Sequence, residues 1–139
     1  MAEFYEFHDS ILTGIERQPG HLVIKLKAYR HSWPDGLGEG VGTGGYQPIE
    51  IAIEKGTVEP EIPPCPLWIL DGSLTADGIQ AAPDDLVDSE IPASLIGSGS
   101  VVIQVGGLNE EMQEYFSIVV RGKSARIIQK GTPEFAENL

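Results

Sequence analysis

His8, Asp9 and Ser10 stand side by side and carry the side-chain types of a hydrolytic triad: base, orienter and nucleophile. Such a triad works only when its members converge from separate elements with the base in the middle. Consecutive residues of an extended chain point to opposite faces, so His8 and Asp9 cannot both serve Ser10 from one strand. The expectation is therefore structural, with Asp9 or Ser10 bonding nearby backbone N–H groups as the chain enters its first strand. His21 and His31 lie at the two ends of what reads as one strand. That separation is roughly 33 Å in extended chain, too far to share a metal. Asp84, Asp85 and Asp88, with Glu90, lack the spacing and the central glycine of a calcium loop. They read first as a solvated loop or helix face, and alternatively as part of a negative patch with Glu59, Glu61, Asp71 and Asp77 that docks a cationic protein. No two carboxylates are marked as a pair flanking a sugar-sized cleft.

A glycine-rich stretch from Gly36 to Gly45 contains a formal G-x-G-x-x-G match at Gly40, Gly42 and Gly45. A dinucleotide site needs these glycines where a strand turns into a helix, so that the helix N-terminus meets the pyrophosphate. Here Tyr46-Gln47-Pro48 runs into an alternating strand instead. A mobile loop over residues 34–46 is the expectation, flanked by Trp33 and Tyr46, whose amphipathic rings suit a contact surface. Cys65, the only cysteine, cannot pair within the chain. Its setting between prolines offers no neighbouring ligand for a metal.

Charge narrows the partners further. From residue 56 to residue 120, a stretch of 65 residues, there is no lysine or arginine, and there are eleven Asp and Glu. Phosphate contacts need cationic side chains, so neither nucleic acid nor an anionic membrane surface is an expected partner. A net charge of -12 repels polyanions and speeds encounter with a basic protein. The first residues have no basic start and no apolar stretch of a secretory signal, and no run reaches the ~18 apolar residues of a membrane span. The expected location is cytoplasmic.

The elements that must position these residues read as strands. In His21–His31, Leu22, Ile24, Leu26 and Ala28 share one face, and Val23, Lys25, Lys27 and Tyr29 share the other. Ile49, Ile51 and Ile53 alternate with Glu50, Ala52 and Glu54, so antiparallel pairing would set Lys25 and Lys27 against Glu50 and Glu54. Further strands are expected at Ser10–Arg17, Leu67–Leu74, Ser100–Val105, Glu114–Arg121 and Ser124–Lys130, with Gly122-Lys123 as a two-residue hairpin turn. Short helical turns are expected near Leu108–Phe116, after Asn109, and near Pro83–Asp88. The 139 residues suit one all-β, mainly antiparallel domain, a β-sandwich or open barrel.

Phe7-His8-Asp9-Ser10-Ile11-Leu12, with Ile15, resembles the opening of several small bacterial families in which F-H-D-S leads into an alternating strand. The resemblance implies a bacterial origin and a compact β-rich domain, some such families being grouped with toxin-immunity proteins. It implies no catalytic residues. The expected function is non-enzymatic contact with a basic protein, immunity-like, without metal or cofactor. The alternative is a β-sandwich or barrel binding a small molecule, as an enzyme or otherwise, and a third expectation is a homo-oligomer whose acidic surface keeps it soluble. The candidate contact residues are Trp33, Tyr46, His8, His31, Asp84, Asp85 and Asp88.

Overall fold

The computed structural model describes residues 2–36, 38–76, 79–80, 85–88 and 100–139. The described strands are β1 (Ala2–Gln18), β2 (His21–Trp33), β3 (Thr43–Glu54), β4 (Thr57–Glu59), β5 (Leu67–Ala76), β6 (Ile79–Gln80), β7 (Asp85–Asp88), β8 (Val101–Asn109), β9 (Glu114–Gly122), β10 (Ser124–Gln129) and β11 (Glu134–Asn138). All pairings are antiparallel, and the main path runs β10-β3-β2-β1-β5-β8-β9-β4, with β11 on β3, β6 on β5 and β7 on β1. Every strand expected from alternation coincides with one of these elements, except that Ser100 precedes β8 and Lys130 follows β10 by one residue. Several run further than expected, two of them by the most at their N-terminal ends: β1 starts at Ala2, and β3 takes in Thr43–Tyr46, which corrects the loop expected over residues 34–46.

One apolar cluster fills the inner face. Leu22, Ile24 and Leu26 of β2, Ile49, Ile51 and Ile53 of β3, Leu67, Ile69 and Leu74 of β5, and Ile103 and Val105 of β8 belong to it. The period of two thus separates a fully buried face from a largely exposed one, on which Val23, Tyr29 and Ala52 are nonetheless buried; each fully buried aliphatic side chain contributes about 1.5–3 kcal/mol. Lys25, Lys27, Tyr29 and His31 point to the outward face.

The hydrogen-bonded path ends at β10 on one side and β4 on the other, so the sheet is not closed. Two very short links nevertheless join its opposite ends. Lys55-Gly56 carries β3 into β4, and Lys123 alone carries β9 into β10. The backbone N–H of Lys123 donates to Glu54 O at 2.9 Å, fixing this corner against the end of β3. The sheet must curl for such links to reach.

These links correct the hairpin expected at Gly122-Lys123: β9 pairs with β8 and β4, whereas β10 pairs with β3. Glycine followed by a polar residue also suits a chain leaving one sheet edge for the other. The helical turns are corrected as well, since the described residues contain no helix. Asp85–Asp88 is strand β7, and Pro83 lies outside the described residues. Asn109 does act as a cap, but of a turn: its Oδ1 accepts from Met112 N at 3.0 Å and its Nδ2 donates to Pro64 O at 3.2 Å. The register Leu108↔Tyr115, continued down β8 and β9, overrides the helical spacing of Leu108, Met112 and Tyr115. Register also settles the charge pairs. Lys25 stands opposite Glu50, as expected, while Glu54 faces His21 and Lys27 faces Pro48.

The F-H-D-S segment is a bulge. β1 pairs Glu6↔Tyr29 and next Ile11↔Lys27, so residues 7–10 oppose Ala28 alone. Asp9 takes a φ of 69°, which lets both Phe7 and Ser10 turn inward to full burial. The Ser10 hydroxyl donates to Glu6 O and accepts from Tyr29 N at 2.8 Å, replacing ladder bonds that the bulge removes. Ser10 thus bonds backbone as expected, but within β1 rather than at its entry, and the N–H it accepts from belongs to β2.

Candidate functional site

Two parts of the outward face gather chemistry-bearing side chains. The first crosses β1, β5, β8 and β9. Ile11 is in register with Trp68, Trp68 with Leu108, and Leu108 with Tyr115, so four adjacent strands present one lateral row. Trp68 is 38% and Tyr115 53% exposed, and Leu70 on β5 and Met112 in the β8–β9 turn are 46% and 49% exposed, far more than the core. A register shift between Ile69 and Asp71 adds a residue to β5 there, turning Leu70 and Asp71 both toward solvent.

Asp71 lies at the centre of this region. The Tyr115 hydroxyl donates to Asp71 Oδ1 at 3.0 Å, passing over β8 at Gly106. A Cβ on Gly106 would collide with both groups, so this position tolerates no side chain while the bond exists. Burial, the hydrogen bond to Asp71 and the carboxylate charge, in that order, hold the Tyr115 phenol above its usual range. Next to the pair is a cleft of about 180 Å³, lined among others by Asp71, Ser73, Gln104 and Ser117. Glu110, Glu111 and Glu114 are exposed along the turn and strand that carry Met112 and Tyr115.

The second part lies on β1, β2, β3 and β11. Tyr29 makes edge-on ring contacts with His31 at 5.1 Å and with Tyr46 at 5.4 Å. His31 Nε2 is 2.6 Å from Glu6 Oε1, and the Tyr29 hydroxyl donates to Glu137. Lys27 Nζ stands 5.3 Å from the centre of the Tyr46 ring. Burial first, then the Glu137 hydrogen bond and charge, push the Tyr29 phenol well up; burial, Asp9 and Glu137 raise Tyr46. This cluster sets a histidine beside a carboxylate, His31 against Glu6, with the Tyr29 ring in edge-on contact with the histidine.

The residues expected from sequence divide accordingly. Tyr46 and His31 are brought together through Tyr29. Trp33 is two residues beyond His31 on the same strand, its ring packed over Gly42. His8 stands apart: it is exposed, with Nδ1 3.3 Å from Asp9 Oδ2, while Ser10 faces the core, so the three do not converge. Asp85 and Asp88 are in β7, opposite Glu6 and Phe4, and Asp84 lies outside the described residues. Among the described residues, no group of three His, Cys, Asp or Glu side chains is placed to hold a metal ion. Cys65 is half-buried, and burial raises its thiol.

Sequence reasoning overlooked Trp68, Asp71 as a focal carboxylate, and Tyr115. Alternation alone marks Trp68 as outward, since it separates the inward Leu67 and Ile69. Its position in one row with Tyr115 depends on register, which no local pattern reveals. No protein-family model, no curated protein and no solved structure matches the chain. None of the described helices could cross a membrane, there being none among the described residues.

Proposed function

We propose that the protein is a non-enzymatic interaction module that docks a basic protein through the outward face of β5, β8 and β9. The observation that carries this reading is a cluster of exposed Trp68, Leu70, Met112 and Tyr115 set among Asp71, Glu110, Glu111 and Glu114. Interfaces are anchored by buried aromatic side chains, and charge around the anchor selects the partner and speeds encounter. The stretch without lysine or arginine supplies all three strands up to Val120, so a cationic surface meets no like charge there. An arginine or lysine of the partner would enter the cleft beside Asp71 and pair with its carboxylate.

A small-molecule ligand is the second reading, favoured by the convergent polar groups of the same cleft. At about 180 Å³ the cleft is smaller than the ~300–1,000 Å³ of ordinary ligand pockets, which suits one inserted side chain better. The bacterial, cytoplasmic and immunity-like character suggested by the opening of β1 is part of the same proposal. So is the reading of the curled sheet as an open barrel, supported by the links Lys55-Gly56 and Lys123 between opposite ends of the strand path.

The test is capture from host lysate by the intact chain and by a Trp68→Ala, Tyr115→Ala chain. A basic protein retained by the first, lost by the second and released by salt supports the proposal. A partner held equally by both, or indifferent to salt, refutes it.

A further inference from the structure

β11 is bound to the rest of the chain in an unusual way. Among the described residues it pairs only with residues 43–46 of β3, through Glu134↔Tyr46, Phe135↔Gly45, Glu137↔Gly44 and Asn138↔Thr43. All five of its residues are exposed, and Phe135 is 69% exposed, so no apolar burial anchors it. Its attachments are polar: Tyr29 donates to Glu137, Lys27 Nζ lies 3.9 Å from Glu134 Oε2, and Leu139 N donates to Gly42 O at 2.8 Å.

Pro48 separates β11 from β10 on the same edge of β3. Lys130 N donates to Pro48 O at 2.8 Å, so the nitrogen of Pro48 also faces this edge, and it carries no hydrogen to donate. The ladder stops there and restarts at Tyr46. β11 is therefore not extended cooperatively from the six register pairs of β10. Gly45 meets β11 with backbone alone: a Cβ there would collide with the Glu134 carbonyl oxygen. The two glycines of this segment, with no side chains to obstruct a neighbour, make a seat for an extended backbone.

We propose that residues 43–46 of β3 form a strand-accepting edge that β11 covers, and that an extended segment of another protein, with carboxylates three residues apart, takes its place. The seat argues for that chemistry. Lys27 and the Tyr29 hydroxyl meet Glu134 and Glu137 now, and Arg30 lines the cavity of about 160 Å³ beside Phe135, in a chain otherwise strongly acidic. Strand addition of this kind draws affinity from main-chain hydrogen bonds and selectivity from the side chains beside them. This surface shares no residue with the Trp68 and Tyr115 face, so either proposal can fail alone.

The test titrates the full chain carrying Glu134→Gln and Glu137→Gln with a synthetic nonapeptide of the sequence of residues 131–139, followed by amide NMR. Saturable shifts confined to residues 43–46 and their β2 neighbours are expected, with binding at least ten-fold weaker for the peptide bearing Gln at both glutamate positions. No shift at millimolar peptide, or equal binding of the two peptides, overturns the proposal. A dimer of the variant by light scattering, in the absence of peptide, would overturn the choice of occupant in favour of a second copy. On the unaltered chain, the amides of Phe135 and Asn138 are expected to exchange at least 100-fold faster than those of Ile51 and Ile53, and equal protection would also refute it.

Discussion

Asp71 accepts the Tyr115 hydroxyl at 3.0 Å across Gly106, so that side chains of the two strands flanking β8 meet over bare backbone. The bond fixes an aromatic ring and a carboxylate in one orientation on an exposed surface. Preorganisation of this sort lowers the ordering cost of binding, which otherwise reaches about 0.5–1.5 kcal/mol per immobilised side chain.

Replacing Asp71 by Asn should lower the pH at which Tyr115 ionises, because the carboxylate charge and its hydrogen bond both raise that phenol. Tyrosine-selective NMR across pH 8–12 would follow the ring directly. An unchanged titration would separate Asp71 from Tyr115 energetically. Gly106→Ala should have the same effect by steric separation, together with weaker partner binding.

Ser10→Ala should destabilise the fold by about 1–3 kcal/mol, the range for leaving a buried polar group unsatisfied. Ser10 is fully buried and is the acceptor for Tyr29 N–H inside the bulge. Denaturant unfolding would show a lower midpoint with an unchanged slope. A change within experimental error would mean that the bulge has another source of satisfaction.

Stability should fall on the alkaline side. The folded-state phenol of Tyr29 is raised above its ordinary value of 10.0, so the stabilisation is complete below that pH and declines as pH climbs toward the folded value. Tyr29→Phe should flatten this decline, as read from thermal midpoints measured at pH 8, 10 and 11. It should also loosen β11, whose Glu137 would lose its donor.

Much of the architecture is legible in the residues because burial on one face imposes a period of two. Leu22, Ile24 and Leu26, or Ile49, Ile51 and Ile53, admit no other regular reading. What local patterns miss is pairing between distant segments. Gly122-Lys123 looks like a hairpin turn, yet the strand after it finds β3 rather than β9, because the curled sheet brings Glu54 to Lys123. Asn109 and its acids suit a helix start and a tight turn equally well, and the β8–β9 ladder decides between them. At the site, the alternation of Leu67, Trp68 and Ile69 exposes Trp68, but only cross-strand register sets it in a row with Tyr115. Gly44 and Gly45 read as slack and serve as the seat of β11.

Trp68→Ala with Tyr115→Ala should lower the thermal midpoint only modestly, since both rings lie at the surface, and should weaken docking by about 1,000-fold, each anchor being worth about 2 kcal/mol. The most direct measurement is the dissociation constant of the captured basic partner for the intact chain and for this double variant, at low and at high salt. A large loss in the variant, and weakening by salt in the intact chain, are the expected results. Equal affinity of both chains, with no dependence on salt, would contradict it.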